Sequence, residues 1–324
     1  MKKAGKILVF SLIGIAFVIV FLLGYVKLAL PDVGDAPELK VEQTPARIQR
    51  GEYLANHVSL CMDCHSTRDW SKLTGPIIPG SQGSGGELFD QAMGLPGKYY
   101  APNITPHALK SWSDGEIFRA VTTGVSKKGN ALFPIMPYTH FREMDKEDIY
   151  SIIAYIRTLP AKKTTVLPSS SDFPMNFIIN TIPLEADFKP IPAENDQIAY
   201  GKYLVNAASC SECHTPKEKG EPLPGMNFAG GSQFKFPDAT ITTANITPDM
   251  ETGIGKWSQE QFLNRFAVYR GIAVQPKTRL KGEFQTVMPW TMFSGMKDSD
   301  LKAIYAYLKT VKPVKNKVVT FVAD

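Results

Sequence analysis

Twenty residues, Ile7 to Val26, pass without a charge. At about 1.5 Å rise each, such a helix spans a hydrocarbon core of roughly 30 Å. Lys2, Lys3 and Lys6 precede the run, whereas Lys27 is followed by Asp32 and Asp35, so the positive-inside rule leaves the N-terminus in the cytoplasm. A cleaved signal peptide is the competing reading, but its apolar region normally covers only about 7 to 15 residues and ends at a small-x-small site. Here Lys27 spoils the Ala29 position, and Gly34-Asp35-Ala36 lies well past the run beside Pro37. The pattern therefore predicts a membrane anchor over residues 1–30, single-pass in a bacterial inner membrane, with the remainder on the periplasmic side.

Two later stripes have helical spacing. Ile149, Ile152, Ile153, Ile156 and Leu159 fall on one face, with Asp145 placed to cap and Pro160 to stop the helix. Leu301, Ile304, Tyr305, Leu308 and Val311 repeat the design between Asp298 and Pro313. These stripes close two copies of one longer pattern. Arg50-Gly51-Glu52-Tyr53-Leu54-Ala55-Asn56 returns as Tyr200-Gly201-Lys202-Tyr203-Leu204-Val205-Asn206, and Cys61-Met62-Asp63-Cys64-His65 as Cys210-Ser211-Glu212-Cys213-His214. Asn103-Ile104-Thr105-Pro106 matches Asn245-Ile246-Thr247-Pro248, Trp112-Ser113 matches Trp257-Ser258, and Met136-Pro137-Tyr138 matches Met288-Pro289-Trp290. Between the copies, residues 162–195 carry prolines, serines and net negative charge with little periodicity, as a linking strap would. The expected organisation is an all-α chain: anchor 1–30, a first unit 31–161, a linker 162–195 and a second unit 196–324.

The repeated Cys-x-x-Cys-His carries the chemistry. Residues three and four apart share a helix face, so two thiols and an imidazole can meet one flat ligand. Cys61, Cys64, Cys210 and Cys213 can add to haem vinyl groups as thioethers, with His65 and His214 as axial iron ligands. Four thiolates around one zinc ion is an alternative, but the two pairs lie about a domain apart. Disulfides are a second alternative in an exported protein. Neither explains why both motifs end in His, and all four cysteines of the chain are used by them. Two covalently bound haem c groups are thus expected.

A thioether is the natural sixth ligand. Met136 and Met288 lie 71 and 74 residues after His65 and His214, each before a proline that favours an extended loop. The remaining methionines default to packing or surface roles. His140, four residues after Met136, is the second choice; His57 and His107 have no counterparts in the other unit.

These motifs resemble class I cytochromes c in tandem, over residues 45–315. The Asn-Ile-Thr-Pro, Trp-Ser and Met-Pro segments are also similar to cytochrome c subunits of membrane-bound alcohol and gluconate dehydrogenases. The resemblance implies packing of Gly51 against Tyr155 and of Gly201 against Tyr307. It also implies haem-proximal Trp112 and Trp257. Buried propionates want cationic or N–H partners, and Arg265 and Arg270 are candidates in the second unit.

Closed His and Met coordination leaves no substrate site, so single-electron transfer without catalysis is expected. The donor would be a dehydrogenase or quinol-oxidising complex, the acceptor a terminal oxidase or similar protein. A dihaem peroxidase or sulfur-compound dehydrogenase with one open iron is the enzymatic alternative. The formal charge of +5 over 324 residues is too small and too interleaved for a nucleic-acid partner. Lys309, Lys312, Lys315 and Lys317 could instead steer an acidic redox partner.

Overall fold

The structure, a computed structural model, describes residues 2–324. The first helix, Lys2–Leu28, holds its apolar side chains out to the surroundings. It is the one helix among the described residues long and apolar enough to cross a membrane.

The remaining chain forms two halves built the same way. In the first, the helix Pro45–Tyr53 crosses the closing helix Lys146–Thr158; in the second, Gln197–Ala207 crosses Asp298–Leu308. Both crossings are made at glycine. A Cβ on Gly51 would run into the Ser151 carbonyl and Tyr155, and one on Gly201 into the Ala303 carbonyl and Tyr307. The backbones touch because no side chain stands between them, and the glycine-tyrosine contacts expected from the resemblance are present.

Asp145 caps the first closing helix, accepting from the Glu147 N–H at 2.8 Å. Asp298 does not cap the second. Lys297 occupies that position, and Asp298 opens the helix as its first acidic residue while binding Arg270 at 2.6 Å. Its charge still suits the positive helix end. This helix ends at Leu308, so Val311 lies beyond it.

The all-α expectation does not hold for the loops. Leu88–Phe89, Gly97–Tyr100 and Ser170–Ser171 form one small antiparallel sheet. Gln233–Phe236, Ala239–Thr242 and Phe321–Ala323 form another, and Lys217–Glu218 pairs with Glu221–Pro222. Gln233-Phe234-Lys235-Phe236 alternates exposed with half-buried positions, a period of two that a search for helical stripes passes over. Ser170–Ser171 belongs to the strap, which is therefore partly ordered against the first half; the Phe188 ring of the strap lies tilted against Phe118, 5.3 Å between centroids.

The buried apolar residues of both halves make one contiguous cluster, and the polar contacts between the halves are reciprocal. The Tyr203 hydroxyl donates to Asp148 at 2.6 Å and accepts from the Asp145 N–H at 3.2 Å. The Tyr53 hydroxyl donates to Asp300 at 2.6 Å and accepts from the Lys297 N–H at 3.1 Å. Each half thus places a tyrosine of its first helix on the start of the other's closing helix. Around the edge, the buried Gln285 side chain accepts from the Thr74 N–H at 2.9 Å and donates to the Lys72 carbonyl at 3.0 Å.

Candidate functional site

Each cysteine motif forms a short helical turn, Cys61–Cys64 and Cys210–His214. The residue before each turn, Leu60 or Ser209, is left-handed, with φ of 55° and 52°. A non-glycine residue in that region is uncommon, and finding one at the same place twice marks a shared geometry of entry into the turn.

The two histidines are oriented alike. His65 Nδ1 lies 2.8 Å from the Pro102 carbonyl, and His214 Nδ1 lies 2.7 Å from the Ala244 carbonyl. A carbonyl oxygen only accepts, so Nδ1 carries the proton. Burial lowers the pKa of both imidazoles, which favours the neutral ring and leaves Nε2 with a free lone pair. This is the tautomer a metal-ligating histidine needs.

The segments that carry these acceptor carbonyls pack directly against glycine. The Gly85 and Gly230 N–H groups donate to the carbonyls of His65 and His214 at 2.9 and 2.7 Å. Their φ values are +73° and +70°, and a Cβ would strike the backbone of residues 101–103 or of 243–244. Only glycine lets the two segments lie this close. The repeated pairs Gly85-Gly86 and Gly230-Gly231 were the available sequence signal, and motif reading passed over them.

The Asn-Ile-Thr-Pro repeats lock the next loop. Asn103 Oδ1 accepts from the N–H and hydroxyl of Thr105, both at 2.8 Å, while its amide donates to the Lys162 carbonyl at 2.7 Å. Asn245 repeats this with Thr247 and the Val314 carbonyl at 2.8 Å. In the Trp-Ser repeats, Ser113 and Ser258 cap helices through full capping boxes with Glu116 and Gln261. Trp112 and Trp257 pack half-buried on the core.

Burial pushes the Cys61 and Cys210 thiols up to about 12, so they are neutral thiols at pH 7. Among the described residues, no three His, Cys, Asp or Glu side chains converge on one point. The two cysteine pairs are therefore not gathered into a tetrahedral zinc geometry.

Met136 and Met288 are half-buried beside the core. Each begins the same tight turn: the Tyr138 N–H returns to the Met136 carbonyl and the Trp290 N–H to the Met288 carbonyl, both at 2.7 Å, an inverse γ-turn about proline. Met62, Met144, Met292 and Met296 are core residues, in line with their packing default.

His140 is committed elsewhere. Its Nδ1 lies 2.8 Å from Asn206 and its Nε2 2.8 Å from Glu212, so neither nitrogen is free for iron. Glu212 sits inside the second cysteine motif and also binds Lys217 at 2.6 Å. Burial alone would raise its carboxyl, but hydrogen bonds from His140 and Lys217 outweigh burial and hold it at about 2. The equivalent Asp63 instead pairs within its own half, with Arg68 at 2.9 Å. Arg270 is taken by Asp298, while the Arg265 guanidinium lies 5.0 Å over the Trp290 ring.

A Cys-x-x-Cys-His turn with a pre-oriented neutral imidazole is the attachment geometry of a cytochrome c domain, and residues 198–312 match the family model described as cytochrome c. Such a domain carries covalently bound haem c. The donor set fits it: two neutral thiols and one Nε2 lone pair on a single turn.

Over most of its length the chain is similar to cytochrome c subunits of dehydrogenases. It is 28% identical over 299 residues to the cytochrome c subunit of the quinone alcohol dehydrogenase of Gluconacetobacter polyoxogenes, covering 84% of this chain and 58% of that protein. It is 29% identical over 287 residues to the gluconate 2-dehydrogenase cytochrome c subunit of Pantoea cypripedii, covering 82% and 60%. A diheme cytochrome c-type protein of Cereibacter sphaeroides is 28% identical over 267 residues, covering 79% and 83%. The chain thus spans less than two thirds of the two dehydrogenase subunits.

Proposed function

We propose that this chain is a membrane-anchored dihaem c-type cytochrome that passes single electrons. In this reading two tandem class I cytochrome c domains, residues 31–161 and 196–324, follow an anchor at 1–30 and are joined by 162–195. The domains lie on the periplasmic side of a bacterial inner membrane. The donor is a periplasmic or membrane dehydrogenase, or a quinol-oxidising complex; the acceptor is a downstream protein such as a terminal oxidase. The cytochrome subunits named among its relatives support the dehydrogenase as donor.

The observation that carries the reading is the repeated histidine geometry. Cys61, Cys64, Cys210 and Cys213 would hold two haems as thioethers, and His65 and His214 would each offer Nε2 to an iron. Met136 and Met288 would supply the sixth ligands from their matched proline turns. When bound, the haems supply reversible one-electron exchange between Fe(III) and Fe(II). The protein's part is to fix both imidazoles through Pro102 and Ala244, to exclude water with the shared apolar core, and to keep the ligand loops stiff. A rigid, dry site needs little reorganisation when the charge changes.

The test is a pyridine haemochrome measurement on chain matured in a haem-attaching host. Two haems per chain that resist acid-acetone extraction are expected. Replacing Cys61 and Cys64, or Cys210 and Cys213, by alanine should halve the count. Met136→Ala and Met288→Ala should each remove half of the near-infrared thioether-to-iron band. A colourless protein, or one haem per chain, refutes the dihaem reading.

A further inference from the structure

Between Asp172 and Glu185 lie twelve residues without a charge, and seven of them are large and apolar. The segment forms one helical turn, Met175–Ile178, and one 3-10 turn, Ile179–Thr181. It does not cover its apolar side chains: Phe173 is 80% exposed, Leu184 54% and Ile178 44%. Solvated side chains of this kind, clustered within a dozen residues, mark a surface that something else covers.

The segment lies against the C-terminal end of the Lys2–Leu28 helix: Lys27 Nζ donates to the Asn176 carbonyl at 3.0 Å and stands 5.4 Å over the Phe177 ring. A 27-residue helix is about 40 Å long, enough to cross the hydrocarbon core and end among the headgroups, where lysine and aromatic side chains concentrate. Residues packed on that end sit at the same depth. A short apolar segment there inserts its side chains below the headgroups instead of facing water.

We propose that residues 173–184 form an interfacial lipid-docking segment, which inserts Phe173, Ile178 and Leu184 into the leaflet where the anchor emerges. It would hold the folded part at a fixed tilt on the membrane and not on a free tether. The inference rests on the anchor reading under Proposed function.

The test uses the full chain in lipid nanodiscs doped with phosphatidylcholine that carries a photoactivatable diazirine high in one acyl chain. Labelled peptides are located by mass spectrometry. Labelling is expected on both the anchor and the 173–184 peptide. In the F173S/I178S/L184S variant the second signal should fall several-fold and the first should persist. Because these side chains are exposed, the variant should keep its far-ultraviolet circular dichroism. A labelled anchor with an unlabelled 173–184 segment overturns the proposal and leaves the anchor reading intact, whether water or another protein surface covers the segment. An unlabelled anchor overturns both.

Discussion

Removing Asp148 should cost about twice as much as removing its structural counterpart, Asp300. Asp148 accepts two parallel bonds from Arg50, both 2.8 Å, and one from the Tyr203 hydroxyl of the other half at 2.6 Å. Its side chain is 8% exposed and that of Arg50 is 25% exposed. Breaking a buried ion pair by removing one partner costs about 3–5 kcal/mol, because a desolvated charge is left alone. The quarter of Arg50 still in water recovers part of this, so Asp148→Ala should cost about 3 kcal/mol. Asp300 also accepts from a tyrosine of the opposite half, Tyr53, but Tyr200 stands where Arg50 stands in the first half. Removing Asp300 strands no cation: it loses the Tyr53 bond and a 3.1 Å bond from the Ser299 hydroxyl, which water can replace, so Asp300→Ala should cost about 1.5 kcal/mol.

Urea unfolding of the intact chain, followed by circular dichroism, measures both. With a slope near 3 kcal/mol/M, Asp148→Ala should lower the midpoint by about 1 M and Asp300→Ala by about half of that. A cycle with Tyr203→Phe isolates the contact between the halves, and a coupling of about 1.5 kcal/mol is expected from a hydroxyl bound to a carboxylate. Equal losses for the two aspartates would refute the stranded-cation argument. Zero coupling to Tyr203 would refute the reciprocal interface.

Gly51→Ala and Gly201→Ala should each destabilise by about 2 kcal/mol in the same assay, since the added methyl must push two backbones apart, whereas Gly271→Ala, with open space around it, should be neutral or better. Asn103→Ala and Asn245→Ala should each cost about 2–3 kcal/mol, because a buried threonine N–H, its hydroxyl and a distant carbonyl all lose their partner. The pH dependence of stability should carry a His140 signature. Burial lowers the His140 pKa, but its bonds to Glu212 and Asn206 outweigh that and raise it above the ordinary value. Its contribution is therefore complete below about pH 6.5 and lost as pH rises through the raised folded value. Urea midpoints from pH 6 to 9 should fall less steeply in His140→Gln than in the native chain, and identical slopes would exclude the pair as the cause.

Local chemistry was legible in the residues themselves. Twenty uncharged positions marked the first helix, two apolar stripes marked the closing helices, and the doubled Cys-x-x-Cys-His marked the proposed haem attachment. Each of these signals rests on spacing within one continuous stretch of about twenty residues or fewer, which a linear reading captures. The capping boxes at Ser113 and Ser258 and the paired glycines after each motif were equally local, and lacked only recognition. What the sequence could not determine are the relations between distant segments. Pro102 and Ala244 meet His65 and His214 only once glycine lets two loops touch. His140 was a plausible iron ligand until folding delivered Glu212 and Asn206 to both its nitrogens. The reciprocal tyrosine-aspartate contacts join residues more than fifty positions apart. A carbonyl or carboxylate acts through space over about 3 Å, and only the tertiary structure decides which groups come that close.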